Sequence, residues 1–137
     1  MQRFLATILL VSLLAGCSSV QLGLNVSVQD VIERTEPKSE IHINQSVEET
    51  FNCIKLALLS KRLRTDHVRM GDEEVLWQVG SPSFLDQTSI NAVYLVDGDS
   101  LMNIYVTQNM FLVQKQLQSI GENCASDSTW TPSSAFW

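Results

Sequence analysis

The sequence is poor in the side chains that most enzymes and metal sites use. It has two histidines, His42 and His67, and neither lies in a ligand-like spacing such as HxxxH or HExxH. No serine lies in a GxSxG motif, so nothing indicates the nucleophile of an α/β-hydrolase. Cys53 and Cys124 have no nearby histidines with which to complete a zinc site. We therefore expect no catalytic residues, no metal site and no cofactor.

Basic residues and long apolar runs are also scarce. Lysine and arginine total 9 against 15 acidic residues, and the net charge is −6. This balance argues against nucleic-acid binding and gives no broad attraction to anionic lipid. The longest apolar run, residues 4–14, falls short of the about 20 residues that span a bilayer core. The remainder of the chain is expected to be soluble.

The first residues have the pattern of a secretion signal. Arg3 and the amino terminus supply positive charge, and an apolar stretch over residues 4–14 follows, interrupted only by Thr7 and Ser12. Leu14-Ala15-Gly16-Cys17 comes next, and it resembles the lipobox of bacterial lipoproteins. The resemblance is confined to the first seventeen residues or so. The other interpretation is an ordinary signal peptide with an incidental cysteine.

Membership of the lipoprotein class has several implications. It implies a diacylglyceryl thioether on Cys17, cleavage just before that residue, and a further acyl chain on the new amino terminus. Two or more acyl chains anchor a protein stably, whereas one does not. Ser18 follows the cysteine, which in bacteria of the enteric type favours the outer membrane over the inner one. We expect an outer-membrane lipoprotein with its domain facing the periplasm.

The chain divides into four parts on this interpretation. Residues 1–16 are the signal peptide, 17–39 the lipidated end and tether, 40–124 an α+β periplasmic domain, and 125–137 a C-terminal tail. Removal of residues 1–16 leaves 121 of the 137 residues, which suits one domain. Since Arg3 is the only charged residue removed, 8 basic and 15 acidic residues remain, a net charge of −7.

Two cysteines remain after Cys17 is assigned to the anchor. In an oxidising compartment an isolated pair is most simply a disulfide, here between Cys53 and Cys124. The alternative is two buried free thiols.

Hydrophobic periodicity predicts the order β-α-β-β-β-α. Strands are predicted over 40–44, 75–79, 88–96 and 101–107, and the pair Asp97-Gly98 favours a hairpin between the last two. Helices are predicted over 46–63, starting at the capping-box spacing of Ser46 and Glu49, and over 109–120, ended by Gly121. We expect a two-layer α+β sandwich, in which both helices cover one face of an antiparallel sheet.

A further local signal lies in the predicted tether. Ser27 and Asp30 bracket a helical turn with Val28, Val31 and Ile32 on one side, and Pro37 ends any helix there.

Two features are candidates for an interaction surface. Arg62 and Arg64 belong to the one basic patch, with Lys61, His67 and Arg69, which either binds a partner or simply compensates a helix end. Trp130, Phe136 and Trp137 make the tail aromatic, and exposed apolar groups tend to mark contacts. The tail either folds back onto its own domain or docks to a partner or membrane. The acidic clusters 72–74 and 97–99 are interpreted as solvated loop charges.

The leading hypothesis is an envelope interaction or accessory module that is not an enzyme. The alternative is a small-ligand or lipid-binding module, with a cavity between sheet and helices lined by Trp77 and Tyr94. A hydrolase of envelope polymers is the least favoured hypothesis. Partners are expected to be the membrane, through the anchor, and an envelope protein.

Overall fold

The computed structural model describes residues 26–79, 90–98, 100–107 and 111–133, and these form an α+β fold. Within them, no helix is long and apolar enough to cross a membrane. The elements follow one another as α1 (Val26–Arg34), β1 (Ser39–His42), α2 (Val47–Ser60), β2 (Arg64–Met70), β3 (Glu73–Val79), β4 (Ile90–Asp97), β5 (Leu101–Val106) and α3 (Phe111–Ser126). The predicted fold class is confirmed.

The five strands form one antiparallel sheet. Their order is β1-β5-β4-β3-β2, so β1 and β2 are the two edges. Gly98, with φ of +74°, lies in the turn between β4 and β5, where the Asp97-Gly98 pair predicts a hairpin. Helix α2 connects the two edge strands, and it therefore crosses one face of the sheet from one side to the other.

The two faces of the sheet bury two separate apolar clusters. Leu76, Tyr94 and Ile104 face α2 and α3, and they form the larger cluster with residues of both helices. Trp77, Val93 and Tyr105 point the opposite way and pack with Val28 of α1. The sandwich with two helices on one face is thus confirmed. The observed order contains two elements that were absent from the predicted order. They are α1, which covers the second face, and β2.

Strand β2 escaped prediction because its sequence, RTDHVRM, shows no alternation of apolar and polar residues. Arg64, Asp66, His67 and Arg69 are all exposed along it. Such charge on an edge strand discourages pairing with other chains. Because charged or polar residues occupy both faces of β2, the strand lacks the alternation by which half-buried strands are recognised.

Helix α2 begins as its capping box predicts. The Ser46 hydroxyl accepts a hydrogen bond of 3.1 Å from the Glu49 backbone N–H. The helix ends at Ser60, three residues earlier than expected. The N–H groups of Lys61 and Arg62 turn back to the carbonyls of Leu58 and Leu59, and Arg62 adopts φ of +61°.

Helix α3 does not end at Gly121, and that prediction was wrong. The helix continues to Ser126, with Gly121 buried in its interior. A Cβ at this position would lie 2.6 Å from Cδ1 of Ile104 and 2.7 Å from Cε1 of Tyr94. Glycine is therefore present because the helix backbone approaches the sheet closely. The Tyr94 hydroxyl, fully buried, donates to the Leu117 carbonyl at 2.7 Å.

The predicted tether contains folded structure. Val26–Arg34 form helix α1, and Val28 within this helix is fully buried. Strand β1 already begins at Ser39. The boundaries at 39 and 124 therefore move outward, to include α1 at one end and the last turn of α3 at the other. Burial of Val28, Val31 and Ile32 on one side matches the helical turn indicated by the sequence.

Candidate functional site

A disulfide joins the two helices that cover the larger core. Cys53, in the middle of α2, is bonded to Cys124, near the end of α3, with the Cα atoms 5.7 Å apart. Both residues are buried. The predicted pairing is confirmed, and it fixes α2 against α3 at the position where the C-terminal segment begins.

The C-terminal segment, residues 127–133, folds back over this disulfide. The Asp127 N–H donates to the Asn123 carbonyl at 2.9 Å, and the Trp130 N–H donates to the Asp127 carbonyl at 3.1 Å. The Trp130 carbonyl oxygen lies 3.4 Å from Sγ of Cys53, a contact rather than a hydrogen bond because a disulfide sulfur carries no proton. The Trp130 side chain is half-buried against the core. Phe136 and Trp137 lie outside the described residues.

Asp127 shapes the turn that directs this segment. Its Oδ1 accepts hydrogen bonds from the Thr129 hydroxyl at 2.7 Å and from the Thr129 N–H at 2.9 Å. These two bonds hold the pKa of the exposed Asp127 carboxyl below its usual value, and the bond from the Thr129 hydroxyl has the larger effect. The charged form of Asp127 is therefore the one that matches the observed turn.

An apolar groove of about 330 Å³ lies between α2 and the C-terminal segment. Leu56 and Ala57 contribute the helix side, while Trp130 and Pro132 contribute the other side. The volume lies at the lower end of the about 300–1,000 Å³ range of ligand pockets. The arrangement suits an inserted apolar side chain. The groove is also lined by Cys53, Ser60, Ser128, Thr129 and Thr131.

The outer face of α2 continues this apolar surface. Leu56 and Leu59 are 66% and 65% exposed, and because they lie one helical turn apart they form a small apolar patch on this face. Glu48 and Asn52 are exposed at the preceding positions of the same helical stripe. We call these four residues the α2 face. Sequence periodicity pointed to the buried stripe of this helix, and the exposed leucines became evident only once the packed side was known.

A second, polar pocket of about 300 Å³ lies where the hairpin turns meet. Asp72, Glu74 and Asp97 line it, so the two acidic clusters that are separate in sequence come together. The Gly98 N–H donates to the Asp72 carbonyl at 3.0 Å, which joins the two turns. Nε of Arg69 lies 3.6 Å from Glu74, so one basic group offsets the acidic charge. Over the described ranges, no group of three or more potential ligands could hold a metal ion.

His67 is held among neighbours on the α2 side of the sheet. Its ring packs edge-on against Phe51, with the centroids 5.2 Å apart. Its Nδ1 lies 3.5 Å from Nζ of Lys55, and its Nε2 lies 3.5 Å from the Glu74 carboxylate. These contacts connect side chains of α2, β2 and β3.

The basic patch of the sequence does not form one surface. Arg62 is exposed in the turn after α2, while Arg64 begins strand β2. His67 and Arg69 lie on the sheet face that carries α2, and both approach Glu74. Arg64 and Val68 are four positions apart along β2, so their side chains point to the same face of the sheet. Val68 packs on the face opposite to α2. A site that uses Arg62 and Arg64 together with the other basic residues is therefore not assembled.

The internal ligand cavity of the alternative hypothesis is not formed as expected. Trp77 and Tyr94 were expected to line it together, yet they belong to clusters on opposite faces of the sheet. Tyr94 is fully buried against α3, and this burial raises the pKa of its hydroxyl. The space between the sheet and α3 is thus filled by side chains at this point.

Comparisons with known proteins do not assign the chain to a family. No family model, no curated protein and no solved structure matches the chain. Cys17, the residue for which lipidation is predicted, lies outside the described residues.

Proposed function

We propose that the chain is a lipid-anchored lipoprotein of the bacterial outer membrane, with a periplasmic domain that binds another envelope component and is not an enzyme. Cys17 carries the lipid in this proposal, on the strength of its resemblance to a lipobox cysteine. The bond between Cys53 and Cys124 supports an oxidising compartment, because cytosolic thiols are normally kept reduced.

The observation that carries the binding role is the apolar groove beside the α2 face. Two leucines, Leu56 and Leu59, expose about two thirds of their side chains directly beside a groove walled by Trp130 and Pro132. Exposed apolar surface next to a concavity is typical of protein contact sites. Both sides of the groove are held to the domain, since the disulfide joins α2 to α3 and hydrogen bonds to Asp127 shape the turn of the segment. Walls held in this way reduce the entropy lost on binding.

Helix α1 lies on the side of the sheet away from this surface. The chain reaches the domain from Cys17 through α1, and α1 packs with Trp77 and Val93 on the sheet face opposite to α2. Among the described elements, α1 therefore does not cover the groove.

Site-specific photo-crosslinking in intact cells tests the proposal. A photoreactive residue replaces Leu56 in one variant and Arg34 in another, since the Arg34 side chain is 80% exposed on the α1 side. We expect a defined crosslinked protein from position 56 and none from position 34. A third variant, Cys17→Ser in a secreted form, should lose membrane fractionation. Equal capture from both positions, or none from position 56, would contradict the binding role.

A small-ligand role is the second candidate, and the same groove favours it. Its apolar walls, formed by Leu56, Ala57, Trp130 and Pro132, suit an acyl chain as well as a protein side chain. Mass spectrometry of organic extracts from the purified protein separates the two candidates. A stoichiometric lipid that disappears in a Leu56→Asp variant would support the ligand role and remove the need for a protein partner.

A further inference from the structure

We infer that the domain docks on an anionic bilayer surface through Phe111 and Leu112 at the start of α3, with Lys115 beside them. The inference rests on the proposed lipid anchor, which brings the domain to a membrane, and it adds a protein surface that contacts the bilayer. Three features carry it: an exposed apolar pair with an adjacent cation, the opposite charge of the two ends of the sheet, and the short reach of the chain before α1.

The large apolar side chains exposed in the described part of the chain form two pairs. Leu56 and Leu59 lie beside the groove, whereas Phe111 and Leu112 lie in the first turn of α3 and are 66% and 71% exposed. Neither Phe111 nor Leu112 lines the groove or the polar pocket. The second pair protrudes, so it suits a partner that closes around it. The boundary between the headgroups and acyl chains of a bilayer is such a partner.

Lys115 gives the protruding pair the chemistry of a membrane interface. The residue is exposed, and its Nζ lies 5.4 Å from the centre of the Phe111 ring. The helix dipole does not favour a cation near the start of a helix, and α3 has no acidic residue in its first turn. Compensation of a helix end therefore does not explain Lys115. When the Phe111 ring enters the interface, the neighbouring ammonium group is placed to meet lipid phosphates.

One end of the sheet is acidic. The register places both hairpin turns at the same end, which we call the hairpin end. Asp72 and Asp97 lie there, and Val47, the first residue of α2, lines the same pocket as these two residues. Glu48 and Glu49 follow Val47 in the first turn of α2, so they add to the negative charge at the hairpin end.

The opposite end of the sheet carries exposed basic groups. Helix α2 leaves the hairpin end, and Lys61 and Arg62 form the turn that follows its last residue. Helix α3 runs the other way and finishes at the hairpin end, where the Asn44 N–H donates to the Ala125 carbonyl at 3.0 Å. Phe111 therefore lies at the same end as Lys61 and Arg62, and we call this the Phe111 end.

This separation of charge gives the domain a preferred orientation at an anionic surface. The length of strand β3, Glu73–Val79, places the two ends about 20 Å apart, more than twice the Debye length of about 8 Å at physiological ionic strength. A bilayer at the Phe111 end therefore attracts the basic groups there, while solvent screens the acidic hairpin end from it. Glu36 and Lys38, which precede β1 at the Phe111 end, offset each other. The net negative charge of the chain does not oppose docking in this orientation.

The chain before α1 is long enough for this orientation. Helix α1 has nine residues, about 14 Å of helix, and it ends shortly before β1, which begins at the Phe111 end. Between Cys17 and Val26 the chain spans at most about 30 Å, roughly twice the length of α1. A lipid on Cys17 can therefore lie in the same bilayer that the exposed pair contacts.

Flotation of the unlipidated Cys17→Ser form with vesicles measures the contact without the anchor. We expect binding to vesicles of phosphatidylcholine mixed with phosphatidylglycerol, and much weaker binding to phosphatidylcholine alone. Leu112→Asp is expected to lower the partition coefficient roughly tenfold, because an exposed leucine no longer transfers into the interface. Lys115→Gln is expected to lower it roughly fivefold on the anionic vesicles only.

Leu56→Asp is the matched control for Leu112→Asp. Leu56 is 66% exposed but belongs to the α2 face, so its replacement should leave flotation unchanged. Unchanged circular dichroism spectra confirm that each variant remains folded.

The lipidated full chain on the same anionic vesicles gives a second test. An environment-sensitive fluorescent residue replaces Leu112 in one variant and Leu56 in another. Lipids brominated on their acyl chains are expected to quench the probe at position 112 and to leave the probe at position 56 unchanged.

The outcomes separate the inference from the proposed function. No quenching at position 112, in a lipidated protein that stays on the vesicles, would overturn the inference and leave the anchor standing. Equal loss of flotation in Leu56→Asp and Leu112→Asp would also overturn it, because the contact would not be specific to the Phe111 end. Specific flotation of the Cys17→Ser form, together with a native protein that carries no lipid on Cys17, would support the docking surface and contradict the anchor.

Discussion

Within the described residues, the two faces of the sheet are covered by very different amounts of structure. One face carries α2 and α3, of 14 and 16 residues, which a disulfide joins. The other face carries α1, a helix of nine residues that the side chain of Val28 secures. So short a helix is marginal alone and depends on its docking. The face with α2 and α3 therefore forms the framework of the groove. We expect local unfolding to begin on the other face, at α1.

Removal of the disulfide is expected to lower the free energy of unfolding most. Without it, the helices on both faces of the sheet would be held by non-covalent contacts alone. Cys53 and Cys124 are separated by 71 residues, and a closed loop of this size contributes about 4 kcal/mol in the chain-entropy model. We expect a Cys53→Ser, Cys124→Ser double variant to lose about that much free energy of unfolding, measured by urea denaturation. A loss below about 1 kcal/mol would show that the packing of α2 and α3 does not need the bond.

Gly121→Ala tests the close contact between α3 and the sheet. The added Cβ would lie 2.6 Å from Cδ1 of Ile104, so the contact is overpacked at a cost of about 1–3 kcal/mol. Alanine regains about 1 kcal/mol of helix propensity. We expect a net loss of up to about 2 kcal/mol in thermal or urea unfolding.

A second substitution sharpens this prediction. Ile104→Val removes the Cδ1 atom that Gly121→Ala would meet, so the double variant should recover part of the loss. The remaining contact with Tyr94 keeps the recovery incomplete. Additive losses from the two substitutions would indicate that the helix does not approach the sheet as closely as described.

Val28→Ala is expected to act on α1 alone. The buried side chain loses two methyl groups, partly offset by the better helix propensity of alanine, for a net cost of about 1 kcal/mol. Amide hydrogen exchange in Val26–Arg34 should then accelerate roughly fivefold, with the amides of α2 and α3 unchanged. Equal acceleration in all three helices would mean that the two faces unfold together.

The smallest expected effect is that of pH on the turn before Trp130. The pKa of Asp127 is lowered by its bonds from Thr129, so these bonds contribute above the ordinary value of 3.8 and are lost as the pH falls through the lower folded value. The amide proton shift of Thr129 should therefore titrate below pH 3.8. An Asp127→Asn variant should show no such transition, and a midpoint at or above the ordinary value would contradict the assigned hydrogen bonds.

How much of the fold could be predicted depended on how clearly each element repeats its pattern. Helix α2 was found because Ser46 and Glu49 mark its start and because its buried residues recur at helical spacing. Strands β3, β4 and β5 were found because they alternate between two faces, although their exact ends were shifted by a few residues. Edge strand β2 was missed because a half-exposed strand need not alternate.

Gly121 shows a different limit. Glycine is common both where helices end and where a helix backbone must approach another element, and the sequence does not distinguish these cases. Only the position of Tyr94 and Ile104 across the interface reveals which applies. A long-range contact was needed to interpret a local signal.

The candidate site was predicted only in part. Trp130 was recognised as unusual, and the pairing of Cys53 with Cys124 followed from the count of cysteines. The groove itself depends on where the chain folds back across α2, which the Asp127 turn decides. Arg64 and His67 are close in sequence, yet alternation along β2 places them on opposite faces of the sheet, so proximity along the chain did not imply a common surface.

In the proposed lipoprotein, docking of α1 also sets how far the domain can travel from its anchor. Between Cys17 and Val26 the chain has nine peptide steps, which span at most about 30 Å when fully extended. A free tether over residues 17–39 would have reached more than twice as far. With Cys17 lipidated, the domain explores a thin layer above the bilayer, and its encounters become a two-dimensional search. A partner held at the same membrane surface would be met by this two-dimensional search.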